Sequence, residues 1–180
     1  MCVPACILMI LKRRGLENNL SQEDIAGYLN FCNTEETKKL FPQFPYNKDK
    51  RKQGCIVTSL NTQFFQPASI PLIENYHAIK YLDRYFDYSG EDFLDYLENL
   101  LKEEDDDVIA SLNHAVILNK PGKVYRHASL VEYTSGRNVH LLTPKDNDKT
   151  YRETADIDIF YRAILNIDGG LWVIKTNTKN

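Results

Sequence analysis

The sequence predicts an α+β fold forming a single domain over residues 1–180, and three observations carry that expectation. Helix-capping signals and helical spacing of apolar residues crowd the N-terminal half. Short β-branched and aromatic runs separated by turn residues fill the C-terminal half. With 180 residues, 43% of them hydrophobic and 11% aromatic, the chain has enough apolar mass for one substantial core.

The chain opens on Cys2-Val3-Pro4-Ala5-Cys6-Ile7-Leu8-Met9-Ile10-Leu11. Proline is favoured at the first helical position, where its missing N–H is no loss, so Pro4 is read as the start of an apolar helix. Cys2 then lies just outside the helix, which ends near Gly15. Ser21-Gln22-Glu23-Asp24 has the form of a capping box, and Ile25, Ala26 and Leu29 continue it as a short amphipathic helix. Residues 33–53 contain Pro42, Pro45 and the basic cluster Lys48-Asp49-Lys50-Arg51-Lys52 but little periodicity, so a long loop or mobile flap is expected. Tyr76, Ile79, Leu82 and Phe86 fall at helical spacing. Ser89-Gly90-Glu91-Asp92 caps a further helix with Phe93, Leu94, Leu97, Leu100 and Leu101 on one face.

Beyond the acidic run Glu103 to Asp107 the pattern becomes strand-like. That run is expected to be a solvated turn, since it lacks the interleaved glycine of a calcium loop. Val108–Leu112, Ala115–Leu118, His127–Tyr133, Val139–Leu142 and Leu171–Lys175 read as strands. Ser135-Gly136-Arg137-Asn138 supplies a turn that would pair the third and fourth as an antiparallel hairpin. A helical lobe carrying Cys2 would face a sheet lobe across a cleft.

Composition narrows the function. The four cysteines (Cys2, Cys6, Cys32, Cys55) form no CxxC pair and share no ligand spacing with histidine, which argues against structural zinc; no metal or organic cofactor is implied. Free thiols suit a reducing, cytoplasmic setting. The net charge of −3 and scattered basic residues speak against a nucleic-acid partner. The apolar run Val3–Leu11 is too short for a membrane span. Its basic flank, Lys12-Arg13-Arg14, follows it rather than precedes it as in a signal peptide, so a soluble protein is expected.

Two residues stand out as chemistry. A helix N-terminus presents unpaired N–H groups and positive potential, which favour thiolate over thiol, so Cys2 is placed to be a nucleophile; a buried packing cysteine is the alternative. His127 opens an apolar strand after the Pro121-Gly122 turn and is the best placed of four histidines. His114, next to Asn113, is its nearest rival. His140 alternates with Val139 and Leu141 and faces away from them, while His77 belongs to the helical region.

The segment Cys2-Val3-Pro4-Ala5-Cys6 resembles the cysteine motif of the papain-like peptidases that process bacteriocin leaders, and of their stand-alone relatives. Asp107-Val108-Ile109-Ala110-Ser111-Leu112-Asn113, His127-Ala128-Ser129-Leu130-Val131-Glu132-Tyr133 and Asn138-Val139-His140-Leu141-Leu142-Thr143-Pro144 resemble that family's successive strands, the histidine strand among them. Phe160, Ala163, Gly169-Gly170 and Leu171-Trp172-Val173-Ile174 are similar to its closing helix and strand. The resemblance implies a papain-like cysteine peptidase fold and a cysteine peptidase or amide hydrolase acting on a peptide or protein.

By that resemblance Cys2 is the nucleophile and His127 the base, in the chain order of papain-like enzymes. The thiolate would attack a carbonyl to give an acyl-enzyme, and the imidazolium would protonate the leaving amine. The sequence departs from the family in three places. Val3 stands where glycine is usual. Thr143 occupies the position of the orienting aspartate, so a hydroxyl takes that role unless Asp146 or Asp148 does. The oxyanion-hole glutamine normally lies several residues before the cysteine, where this sequence has only Met1. These departures imply an alternative, a catalytically weakened papain-like protein that binds peptides or transfers acyl groups. A third reading makes Cys2 an N-terminal nucleophile after removal of Met1.

Overall fold

The computed structural model describes residues 1–16, 19–49, 53–54, 72–78, 90–102, 106–145 and 150–176. Met1 with Val3–Leu72 forms one compact unit, and Cys2 with Ile73–Asn180 forms the other.

Helix α1 (Cys2–Arg14), which apart from Cys2 belongs to the first unit, buries Val3, Pro4, Cys6, Ile7, Ile10 and Leu11. Lys12, Arg13 and Arg14 sit in its last turn, where cations complement the helix dipole. Gly15 ends it with φ 67, donating to the carbonyls of Leu11 and Lys12, while Leu16 donates to Leu11 at 2.8 Å. The helix starts earlier than the proline suggests. Met1 is the N-cap and its carbonyl accepts from the Ala5 N–H at 3.2 Å, so Cys2 is the first helical residue and Pro4 the third. The first four N–H groups of any helix lack an internal partner, so proline is as harmless at the third position as at the first.

Helix α2 (Gln22–Tyr28) carries the expected capping box. Ser21 accepts from the Asp24 N–H, and the Asp24 carboxylate accepts from the Ser21 N–H at 2.8 Å. The Ser21 hydroxyl also donates to that carboxylate at 2.6 Å, and this bond first, then the backbone one, holds the Asp24 carboxyl below its ordinary pKa. The segment after α2 is tied down by its own polar groups. Asn33, fully buried, donates to the carbonyls of Phe41 and Phe44 at 2.7 and 2.8 Å, and isolated bridges join Cys32 to Gly54 and Asn33 to Tyr46. Phe31 meets Phe41 and Phe44 edge-on. Of the two forms expected for residues 33–53, a long loop or a mobile flap, residues 33–49 form a packed loop; residues 50–52 lie outside the described residues.

The second unit is α+β. Strands β2 (Asp106–Asn113), β3 (Arg126–Ser135), β4 (Asn138–Pro144), β5 (Thr150–Asp156) and β6 (Gly170–Thr176) make an antiparallel sheet, with β1 (Leu72–Ala78) beside β6 in the spatial order β1-β6-β2-β3-β4-β5. Helices α3 (Gly90–Leu101) and α5 (Ile157–Leu165) supply Phe93, Leu97, Phe160, Ala163 and Ile164 to one core with Val108, Ala110 and Leu112 of β2, Val131 of β3, Val139 and Leu141 of β4, and Leu171 of β6. The Phe93 ring lies 4.8 Å from Tyr161 and 6.1 Å from Phe160, centroid to centroid. The β3–β4 hairpin turns at Gly136, φ 53, as expected, and a bulge between Val131 and Tyr133 keeps Val131 and Thr134 in step with Leu141 and Val139.

Three further expectations are corrected. Tyr76 and His77 lie in strand β1 rather than in a helix; Ile79, Leu82 and Phe86 fall outside the described residues. Ala115–Leu118 is not a strand but mostly helix α4 (His114–Ile117), because the Asn113 side chain caps the Ala115 N–H. Asp106 and Asp107 begin β2 instead of extending an acidic turn, and Asp107 is buried. Among the described residues no helix is long and apolar enough to cross a membrane.

Candidate active site

Cys2 heads α1 as a half-buried free thiol, whereas Cys6, one turn on, is fully buried. The start of α1 is fixed from outside the helix. Gln22 of α2 donates its side-chain N–H to the Met1 carbonyl at 3.0 Å.

His127 is the second residue of β3 and lies opposite Leu112 of β2. Its ring stacks on that of His114, centroids 5.1 Å apart and planes inclined by 28°. The stack exists because β2 ends at Asn113 and turns at once into α4. Asn113, itself buried, fixes that turn: Oδ1 accepts from Ala115 at 3.1 Å and Tyr125 at 2.8 Å, and Nδ2 donates to the Lys123 carbonyl at 3.1 Å and Asn166 Oδ1 at 2.6 Å. The His114 N–H closes the loop by donating to the Tyr125 carbonyl at 2.9 Å. So the chain between the two histidines is pinned at both ends.

Behind the stack runs a short polar relay. His114 Nε2 donates to Glu153 Oε2 at 2.7 Å, and Thr143 Oγ1 donates to the same oxygen at 2.9 Å. Thr143 has spent its single hydroxyl hydrogen there, so Ser129 Oγ, 3.1 Å away, donates to Thr143. Thr143 and Ser129 are both fully buried.

The electrostatics of His127 follow from this setting. Burial, and next the charge that His114 carries when protonated, push its pKa down to about 4; Glu153 and a hydrogen bond with the Pro144 backbone act against them. Proline offers only a carbonyl, so the ring donates. Nε2 is buried and has no partner among the described residues, which assigns the ring proton to Nδ1 and leaves the Nε2 lone pair free.

Of the residues expected at the site, His127 and Thr143 meet in this cluster, together with the rival His114. Thr143 bonds with Ser129 and Glu153, while the carbonyl of the next residue, Pro144, accepts a hydrogen bond from the imidazole. Asp146 and Asp148 lie outside the described residues, as does Cys55. His140 faces away from Val139 and Leu141 as expected, bonded to Ser135 at 2.8 Å and Thr154 at 3.1 Å and stacked on Tyr133. Sequence reasoning missed Glu153, because the strand that carries it is mostly polar and shows no apolar alternation. Among the described residues no group of three or more His, Cys, Asp or Glu side chains is arranged to hold a metal ion. No protein-family model matches the chain, and no curated protein is significantly similar to it.

Proposed function

We propose that the protein is a papain-like cysteine peptidase or related amide hydrolase acting on a peptide or protein, with Cys2 as nucleophile and His127 as base. The observation that supports this reading is His127 Nε2, which is buried and has no hydrogen-bond partner among the described residues, on a ring whose burial pushes its pKa down to about 4. A free lone pair held in one orientation is what a general base requires.

In this reading His127 accepts the Cys2 proton as Sγ bonds to the scissile carbonyl carbon, and the resulting imidazolium gives that proton to the departing amine as the C–N bond breaks. Water then attacks the thioester, losing a proton to His127, and the acid leaves as the proton returns to sulfur. A histidine that resists protonation does not favour a standing thiolate–imidazolium pair. Proton transfer is therefore concerted with attack. The same low pKa supports the second reading, a protein that binds peptides or transfers acyl groups and hydrolyses them slowly.

Alkylation by iodoacetamide, followed by mass spectrometry across about pH 5 to 9, tests the pairing. Cys2 should label faster than Cys6, and His127→Ala should slow Cys2 labelling by ~10-fold or more. Equal labelling of both cysteines, or no response to His127→Ala, would overturn the assignment. Turnover of a mixed peptide pool separates the hydrolase from the binder.

A further inference from the structure

We propose that Glu153 is the positioning carboxylate for His127, acting through the His114 ring stacked on it and through Thr143, which anchors the strand end where the Pro144 carbonyl accepts a hydrogen bond from the imidazole. The inference rests on the reading of His127 as base. It deepens that reading by naming where the orienting charge comes from.

The geometry argues for a role beyond stitching two strands together. Glu153 sits on β5, the outermost strand of the sheet, whose neighbouring residues Tyr151, Arg152 and Thr154 are exposed. A carboxylate on such an edge ordinarily faces water. This one turns inward, its side chain only 16% exposed, onto a fully buried threonine and a histidine side chain 10% exposed. Desolvating a carboxylate is costly unless it is matched by donors. Both donors on Oε2 lead towards His127. The His114 Nε2–H bond fixes the tautomer and plane of the ring that covers one face of His127, as an outer carboxylate fixes a histidine in metal sites. The Thr143 bond holds β4 one residue before the carbonyl that accepts the His127 hydrogen bond. The sequence supplies no acid at position 143 itself. The charge is displaced by one strand.

The test follows the Hε1 resonances of His114 and His127 through a pH titration, in the parent protein and in Glu153→Gln, Glu153→Asp and, as a control, Glu132→Gln. Two stacked histidines titrate as a pair with two apparent pKa values. Glu153→Gln should lower the sum of those values by ~1–3 units, because a nearby anion favours the protonated rings. Glu153→Asp should restore part of the shift, and Glu132→Gln, whose carboxylate pairs with Arg152, should leave the sum unchanged. In the parent protein the Glu153 carboxyl carbon should show inflections at both histidine titrations, a reading that needs no variant to fold. Their absence, or an unchanged sum in folded Glu153→Gln, overturns the proposal. So does Cys2 alkylation that depends on His127 but not on Glu153. Alkylation insensitive to His127→Ala sinks the base reading instead, and the titration still decides whether Glu153 governs the rings.

Discussion

An aspartate at position 143 would place a carboxylate where the hydroxyl now donates to Glu153, and the consequence can be worked out. Thr143 Oγ1 is 2.9 Å from Glu153 Oε2 in a fully buried position, so Thr143→Asp replaces a donor with a second anion at similar range. Two unit charges ~4 Å apart at an effective dielectric of ~20 repel by ~4 kcal/mol, equivalent to ~3 pKa units. One of the two carboxyls should therefore resist ionisation, with His114 offsetting part of the cost. The sign is clear: a carboxyl whose folded pKa is raised is tolerated at low pH, and the variant loses stability relative to the parent as pH climbs above the ordinary carboxylate range. Urea unfolding followed by fluorescence of Trp172, the single tryptophan and a buried one, measures this. The expected deficit is ~4 kcal/mol at pH 8 and ~1 kcal/mol at pH 4.5. Adding Glu153→Gln should abolish most of the pH-dependent part. A deficit that is the same at both pH values would refute the placement of Glu153 beside residue 143.

Three further outcomes are expected. Since the pKa of His127 is about 4 in the folded protein and ~6.5 unfolded, the unfolded chain binds the extra proton between those values; stability should fall by up to ~3 kcal/mol as pH drops from ~6.5 to ~4, and His127→Gln should flatten that slope in urea titrations. Gly169→Ala should destabilise by ~1–3 kcal/mol or more, because an added Cβ would stand 2.1 Å from the Ser111 carbonyl, which is backbone and has nowhere to go; thermal unfolding reads it directly. Asn113→Ala removes four hydrogen bonds at the turn that presents His114, so a loss of ~2–4 kcal/mol and a changed chemical shift of the stacked His127 ring are expected by urea unfolding and NMR.

The legible parts of the sequence are those where one local signal dominates. Ser21 and Asp24 form a capping box because side chain and backbone are three residues apart, and no distant partner is needed. Phe93 and Leu97 declare a buried helical face, and Val108 to Leu112, His127 to Tyr133 and Val139 to Leu142 alternate or cluster as strands do. The errors arise where a tertiary contact decides. Ala115–Leu118 is a short apolar run with no intrinsic preference, and the Asn113 side chain tips it into a helical turn. Strand β5, Thr-Tyr-Arg-Glu-Thr-Ala-Asp, shows water a polar face on nearly every residue, so it carries no apolar period, and its existence depends on pairing with β4. Glu153 was hidden with it. Nothing near residue 153 in the sequence points to His114 or Thr143; only the strand register, which sets Leu141 against Glu153, brings them together.

Strand β2 is paired on both sides, but by partners that arrive at different times. The β3 side can close within the same stretch of chain, whereas the β6 side must wait until α5 and everything between Asn113 and Gly170 has been made. At ~5–20 residues per second that interval is roughly 3–11 s on the ribosome. Throughout it, Val108, Ile109 and Ala110 present a bare hydrogen-bonding edge with apolar side chains, the kind of template that recruits a second nascent chain. Asp106 and Asp107 stand at the start of the same strand. Slowing translation between β5 and β6 should accordingly lower the soluble yield of the protein without altering the stability of the molecules that do fold.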